Sequence, residues 1–191
     1  MSPFASISKS RRIRASRLAA GLCALFWLAG AAPLSANDAS EAKLMTAIIY
    51  KLPKFVSWPP IDSQQGGNTF GLCHLGGDTL GNALSELGKY TLKGRAIEVR
   101  HIPWQDANPA DCQMVFIGRP EQSRLKPLLE SMRAWPSLLV SDIPGFARAG
   151  GGIELQRKRG RFAFSIHRAS IEQRGLKLAA PLLDMATIVD P

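Results

Sequence analysis

Two short and almost unbroken apolar runs limit the folds open to this chain: QMVFIGR at residues 113–119 and PSLLVSD at residues 136–142. Runs of this length and continuity are typical of strands that are covered on both faces of a sheet. The segment between them, PEQSRLKPLLESMRAW, has helix-forming residues and an early proline, which favour a helix. A buried strand, a helix and a second buried strand indicate a parallel sheet.

The same alternation precedes these runs, and a different pattern follows them. A strand is predicted from Phe70, a helix over residues 77–90, and a second strand over residues 94–102. Beyond Asp142, two period-two segments, GGIELQ and GRFAFSI, are joined by a short basic turn and predict an antiparallel hairpin. We therefore expect an α/β domain with a mainly parallel sheet, helices on both faces and a C-terminal antiparallel hairpin.

Helices are also predicted at the two ends of this pattern. Near the start, Ser40 is a candidate N-cap, and the apolar residues Leu44, Ile48 and Leu52 recur at helical spacing. Met45, Ala47 and Ile49 widen this stripe, and one face of the helix is expected to lie against the core. Near the end, a short helix is predicted from Arg168 to Arg174, because Gly175 suits the position after a helix C-terminus.

The first 36 residues have the three-part pattern of an export signal. Four arginines between Arg11 and Arg17 precede an apolar run, Leu18 to Ala32, and a small-residue exit ends at Ala36. The alternative is a membrane anchor, but a run of about 15 residues is shorter than the roughly 20 that span a bilayer. We expect cleavage after Ala36 and a single soluble domain over residues 37–191 outside the cytoplasm.

The charge balance argues against a nucleic-acid-binding protein. The predicted leader carries Lys9, four arginines and no acidic residue, so the remainder holds 19 basic and 15 acidic residues. That excess is small and lacks the basic footprint typical of nucleic-acid binding. The local basic cluster QRKRGR at the hairpin turn suits either a solvated turn or contact with an anionic surface.

Cysteine usage favours a disulfide. Without the leader, the chain keeps two cysteines, Cys73 and Cys112, in a compartment where paired cysteines usually bridge. Zinc binding is the alternative, with His74, His101 and His167 as further ligands, although no C-x-x-C or H-x-x-x-H spacing supports it.

The glycine-rich segment ARAGGG, residues 147–152, does not match a phosphate-binding loop. No Lys-Ser or Lys-Thr follows it, and the next predicted element is a strand. The junction LGGDTLG after the first strand likewise departs from a dinucleotide fingerprint. Glycines at such a place more often provide the positive φ of a turn or bulge.

A catalytic set is not recognisable, and we expect a non-enzymatic protein without a cofactor. The motifs G-x-S-x-G and H-E-x-x-H are missing from the sequence. Ser141 and Asp142 end a predicted parallel strand, where open α/β sheets place ligand sites. Phe146, in the following loop, is the large apolar side chain expected to be displayed there. Trp58, Trp104 and Trp135 each lie beside a proline and suit either loop packing or an interface.

Six segments of the sequence resemble, in the same order, the blocks of the YfiR family over about Glu41 to Val189. The first is AIIYKLPKFVSWP and the last is RFAFSIHRASIEQRGLKLAAPLLDMATIV. The segments between them are FGLCHLGGDTLGNAL, LKGRAIEVR, DCQMVFIG and LLVSDIPGFARAGGGIEL. The resemblance implies a periplasmic repressor that binds the periplasmic sensor domain of a membrane-bound diguanylate cyclase of the YfiN type. Repression would lower cyclic di-GMP and limit biofilm formation.

The resemblance also implies a bridge between Cys73 and Cys112, which match the family's cysteine pair. Some relatives carry a second pair near FARAGGGIEL, and this sequence has none there. A homodimer is a further expected partner. The alternative function is a periplasmic module that binds a small ligand or a cell-wall fragment near Ser141 and Asp142.

Overall fold

A computed structural model describes residues 36–59, 68–77, 79–106, 109, 111–158 and 160–189. The residues from Asn37 to Pro191 form one compact unit. The predicted export signal falls on residues outside the described part, apart from its last residue, Ala36. Within the described part, no helix is long and apolar enough to cross a membrane.

Five α-helices and ten strands are present in the described part of the chain. The helices are α1 (Ala36–Lys51), α2 (Thr79–Ser85), α3 (Leu125–Ser131), α4 (Arg168–Gln173) and α5 (Ala180–Asp184). The strands are β1 (Val56–Ser57), β2 (Thr69–Leu75), β3 (Thr91–Leu92), β4 (Arg95–His101), β5 (Met114–Ile117), β6 (Leu138–Ser141), β7 (Ile153–Lys158), β8 (Arg161–Ile166), β9 (Lys177–Leu178) and β10 (Ala186–Ile188).

Eight of these strands form the main sheet, in the order β10-β8-β7-β6-β5-β2-β4-β3. The pairs from β4 through β2, β5 and β6 to β7 are parallel. The pairing then reverses, since β7 and β8 are antiparallel, with Ile153 opposite Ile166 and Lys158 opposite Arg161. The α/β fold with a mainly parallel sheet and a C-terminal hairpin is confirmed.

Apolar cores lie on both faces of the sheet, because alternate strand residues point to opposite sides. In β5, Met114 and Phe116 belong to a large core that also includes residues of α1, α2, α4 and α5. Val115 and Ile117 belong to a second core with residues of α3 and with Phe146. The helices therefore cover both faces, as predicted.

Most of the predicted stripe of α1 faces the core, including Leu52, which is buried just after the helix, and Ile48, which packs against the core. Ala42, Met45 and Ile49 are buried, whereas Leu44 is 55% exposed. Ser40 is not an N-cap, because the helix begins at Ala36 and includes it. The helix carries more than one apolar stripe, and packing against the sheet selects the stripe of Ala42, Met45 and Ile49.

The predicted C-terminal helix is confirmed as α4. Gly175 has a φ of 77°, and its N–H donates to the carbonyl of Glu172 while the N–H of Leu176 donates to that of Ile171. This pair of bonds is a Schellman motif, which requires the left-handed conformation that glycine adopts without strain. The chain then reverses, and Leu178 of β9 pairs with Val56 of β1.

Candidate partner-binding surface

The carboxyl end of β6 carries Ser141 and Asp142, the two polar residues predicted to mark a ligand site. Ser141 is fully buried. Its hydroxyl donates to the carbonyl of Ile117 at 2.6 Å and accepts from the N–H of Ile143 at 3.0 Å. Ser141 therefore joins the ends of β5 and β6, and its hydroxyl has no role at a surface.

Phe146 is also buried, and the prediction that it is displayed is wrong. Its exposed fraction is 0%, and it belongs to the core on the α3 face. A Cβ added to Gly151 would lie only 2.3 to 2.5 Å from atoms of the Phe146 ring. The absence of a side chain at Gly151 thus makes the space that the ring occupies.

The loop over residues 143–152, here called the corner loop, is held by a buried carboxylate that the sequence did not indicate. Glu154 of β7 is 2% exposed. Its Oε1 accepts from the N–H of Gly145 and its Oε2 from the N–H of Ala147, each at 3.1 Å. Gln156 also donates to Oε1. Because these donors are backbone groups of one loop, Glu154 fixes the corner loop over the sheet.

The predicted disulfide between Cys73 and Cys112 is confirmed. Cys73 lies in β2 and Cys112 lies two residues before the start of β5, with 5.7 Å between their Cα atoms. Both side chains are buried in the core on the α3 face. The sulfur atoms are therefore unavailable as zinc ligands. Among the described residues, no cluster of His, Cys, Asp and Glu that could hold a metal ion is found.

Four polar and aromatic side chains that follow the ends of the parallel strands contact one another in two pairs, and all but Asp142, which is 9% exposed, are accessible to solvent. Arg119, two residues beyond β5, donates through Nε to Oδ2 of Asp142 at 2.8 Å. Trp104, beyond β4, is 42% exposed. The Arg124 guanidinium lies 4.8 Å from the Trp104 ring centroid. We call these four residues, Trp104, Arg119, Arg124 and Asp142, the strand-end surface.

This composition suits binding of a protein. Tryptophan and arginine are enriched among residues that dominate interface energies, and both keep large flat surfaces accessible here. Trp58 and Trp135 are packed: Trp58 donates to the carbonyl of Gln113, and Trp135 packs against the core on the α3 face. The strand-end rule located Asp142 from the sequence, and the same rule applied to β5 would have located Arg119.

A second accessible apolar region lies between α1 and α2. A groove of about 390 Å³ is lined there by Ala47, Tyr50, Ala83, Leu87 and Tyr90. The rings of Tyr50 and Tyr90 are 6.0 Å apart, and Tyr90 is 56% exposed. This groove has an aromatic surface, and none of its described lining residues belongs to the strand-end surface.

Solved structures with a similar fold have low sequence identity to this chain. A conserved domain protein from Vibrio cholerae O1 biovar El Tor has a TM-score of 0.54 at 11% identity. An ABC domain from Streptococcus pneumoniae, solved in complex with L-Trp, has a TM-score of 0.53 at 11% identity. Each match covers 78% of this chain and 60% of the other. Such likeness concerns the fold alone. No curated protein matches the sequence.

The sequence pattern of one family matches the chain over residues 42–187. This range starts within α1, ends within β10 and contains the disulfide, the corner loop and the strand-end surface. It covers about three quarters of the sequence. The chain belongs to the YfiR/HmsC-like family.

Proposed function

We propose that this protein is a periplasmic, non-enzymatic regulator that represses a membrane-bound diguanylate cyclase of the YfiN type by binding its periplasmic sensor domain. The observation that carries the proposal is the family match over residues 42–187. The repressed cyclase makes less cyclic di-GMP in the cytoplasm, which limits biofilm formation. The regulator itself does not contact the nucleotide.

Repression by contact requires a difference in affinity. A ligand shifts a conformational equilibrium only if it binds one state more tightly than the other. For a cyclase that divides evenly between active and inactive states, 99% inactivation requires about 100-fold tighter binding to the inactive state. Repression therefore depends on the binding interface between the regulator and the cyclase.

We assign that interface to the strand-end surface. Trp104 supplies an accessible aromatic ring, and Arg124 stacks against it, so both can be covered by a partner with little loss of side-chain freedom. Arg119 adds an accessible positive charge whose position is fixed by the buried carboxylate of Asp142, and charged groups at an interface contribute specificity and association rate. Asp142 is the one predicted site residue that keeps a contact role.

A complementation experiment tests both the function and the surface. Deleting the gene should raise cellular cyclic di-GMP, and the wild-type gene should restore the low level. A Trp104→Ala, Arg124→Gln double variant should leave cyclic di-GMP high at an equal amount of exported protein. Tyr90→Ala, which removes an exposed aromatic ring elsewhere, is the matched control and should restore repression.

An unchanged cyclic di-GMP level in the deletion strain would overturn the cyclase proposal. Derepression by Tyr90→Ala, with normal repression by the double variant, would move the interface to the groove between α1 and α2.

Two further parts of the proposal need separate measurements. Export and cleavage after Ala36 are tested by mass spectrometry of the protein purified from the periplasmic fraction. The chain found there should begin at Asn37. A homodimer is tested by light scattering coupled to gel filtration of the purified mature chain, which should give twice the chain mass.

A further inference from the structure

A cavity of about 340 Å³ lies between α3, α4 and the corner loop, away from the strand-end surface. Lys126, Arg133 and Arg174 line it, and Glu130 is the one acidic residue among its described lining residues. Its apolar lining comes from Leu129, Ala149 and Ala169. The cavity is therefore a small, partly apolar space with an excess of positive charge.

Arg174 is the buried member of this set. Only 8% of the residue is exposed. Its Nη1 donates to the carbonyl of Met132 at the end of α3. Its Nε is buried and has no hydrogen-bond partner among the described residues. One nitrogen of the guanidinium thus holds α3 and α4 together, and the charge of the group is left without an acidic partner.

That arrangement is unusual for a buried charge. Buried ionised groups are normally paired, because removing them from water is unfavourable without compensation. None of the ion pairs formed by the described residues includes Lys126, Arg133 or Arg174. Burial and the positive charge of Arg133 lower the pKa of Arg174. A buried cation with an unpaired nitrogen calls for a structural explanation, and an anion bound beside it would provide both a hydrogen-bond acceptor and the opposite charge.

The neighbouring groups are placed to act on the same ligand. Lys126 lies in the first turn of α3 and Arg133 lies two residues beyond its last residue, and both line the cavity. His167 also lines the cavity. Its Nδ1 accepts from the N–H of Ser170 at 3.0 Å, so in the neutral ring the proton is on Nε2, which is a donor. Cations and a donor from two helices therefore surround one space.

We propose that this cavity binds a small anion through a carboxylate or phosphate group, with Arg174, Arg133 and Lys126 as its cationic partners. A guanidinium presents several donors in a plane that matches either group. The cavity volume is at the lower end of the range for ligand pockets, which suits a small organic acid or phosphate. The inference is independent of the proposed cyclase partner.

Thermal unfolding of the purified mature protein tests the proposal with inorganic phosphate and with succinate, at constant ionic strength set by sodium chloride. Binding to the folded state should raise the unfolding temperature by a few degrees with at least one of the two anions, and in a saturable manner. Stabilisation by phosphate alone or by succinate alone assigns the head group.

Charge-removing variants locate the binding. Arg133→Gln and Lys126→Gln change exposed side chains and should each weaken binding about tenfold. Arg161→Gln removes the same charge at the hairpin and is the matched control, with unchanged binding. Arg174→Lys keeps the charge but loses the planar fork, and should also weaken binding. If that variant fails to fold, the two exposed variants decide the question.

Two results would overturn the proposal. One is the absence of stabilisation by both phosphate and succinate beyond that of sodium chloride. The other is a pattern among the variants that does not depend on the cavity. Unchanged affinity in Arg133→Gln and Lys126→Gln would place the binding elsewhere, and equal weakening in Arg161→Gln would mean that the anions act through overall charge.

Discussion

The parallel half of the main sheet and its hairpin half are stabilised in different ways. In the parallel half, β5 is apolar and buried throughout, every residue of β2 after Thr69 is buried, and the disulfide joins β2 to the segment just before β5. In the hairpin half, the corner loop depends on the Phe146 ring over Gly151 and on the buried carboxylate of Glu154. The first half is held by a covalent bond and continuous burial, and the second by a few specific contacts.

The largest effect is expected in the hairpin half, from Phe146→Ala. Removing a fully buried aromatic ring leaves a cavity and should lower the free energy of unfolding by about 3 to 5 kcal/mol. Amide hydrogen exchange should accelerate in the corner loop and β7 more than in β2 and β5. Phe162→Ala, a half-buried aromatic of β8, is the control and should cost less. Equal costs would contradict the central place given to Phe146.

Loss of the disulfide should have the next largest effect, and it should act on the parallel half. The bridge joins residues 39 apart in sequence, and the double variant Cys73→Ser, Cys112→Ser should lose about 3 to 4 kcal/mol, mostly by freeing the unfolded chain. Urea unfolding with and without reductant measures it. Reductant should destabilise the wild type and leave the variant unchanged, and an equal response of both would refute the assignment.

Glu154→Gln is expected to cost less, about 1.5 to 3 kcal/mol. The amide keeps one acceptor oxygen for the two backbone N–H groups of Gly145 and Ala147, so one of them loses its bond. Thermal unfolding gives the cost, and Glu98→Gln, at a half-exposed position of β4, is the control. A cost no larger than that of the control would show that the corner loop does not need the carboxylate.

The smallest effect is expected for Asp142→Asn. The side chain of Asp142 is 11% exposed and that of its partner Arg119 is 64% exposed. The amide removes the charge but keeps an oxygen that accepts from Arg119 Nε, so the substitution should cost about 1 kcal/mol. The variant should keep its unfolding temperature within a few degrees while weakening repression in the complementation experiment. A large loss of stability would place Asp142 among the structural residues and remove it from the strand-end surface.

The elements that sequence analysis predicted well are those whose signal is local. Short apolar runs identify β5 and β6 because a strand buried on both faces needs apolar residues at every position. The Schellman stop at Gly175 depends on one residue and its neighbours. The disulfide followed from the number of cysteines and from the family resemblance.

The elements that were missed depend on contacts between distant residues. Leu44 and Met45 are both apolar, and only the position of the sheet determines which of them is buried. Glu154 alternates with Ile153 and Leu155 and would be expected to face solvent, but the corner loop covers it. Phe146 is buried because Gly151 has no side chain. The unpaired charge of Arg174 has no local signal at all, since its burial arises when α4 packs against α3.

The two edges of the main sheet are short. The strand at one edge, β3, has two residues, and the strand at the other, β10, has three. Long unpaired edges allow strands of other molecules to add to a sheet and promote aggregation, whereas short edges offer few free backbone groups. The protein can therefore present an accessible binding surface at the strand ends while its sheet resists polymerisation through the edges.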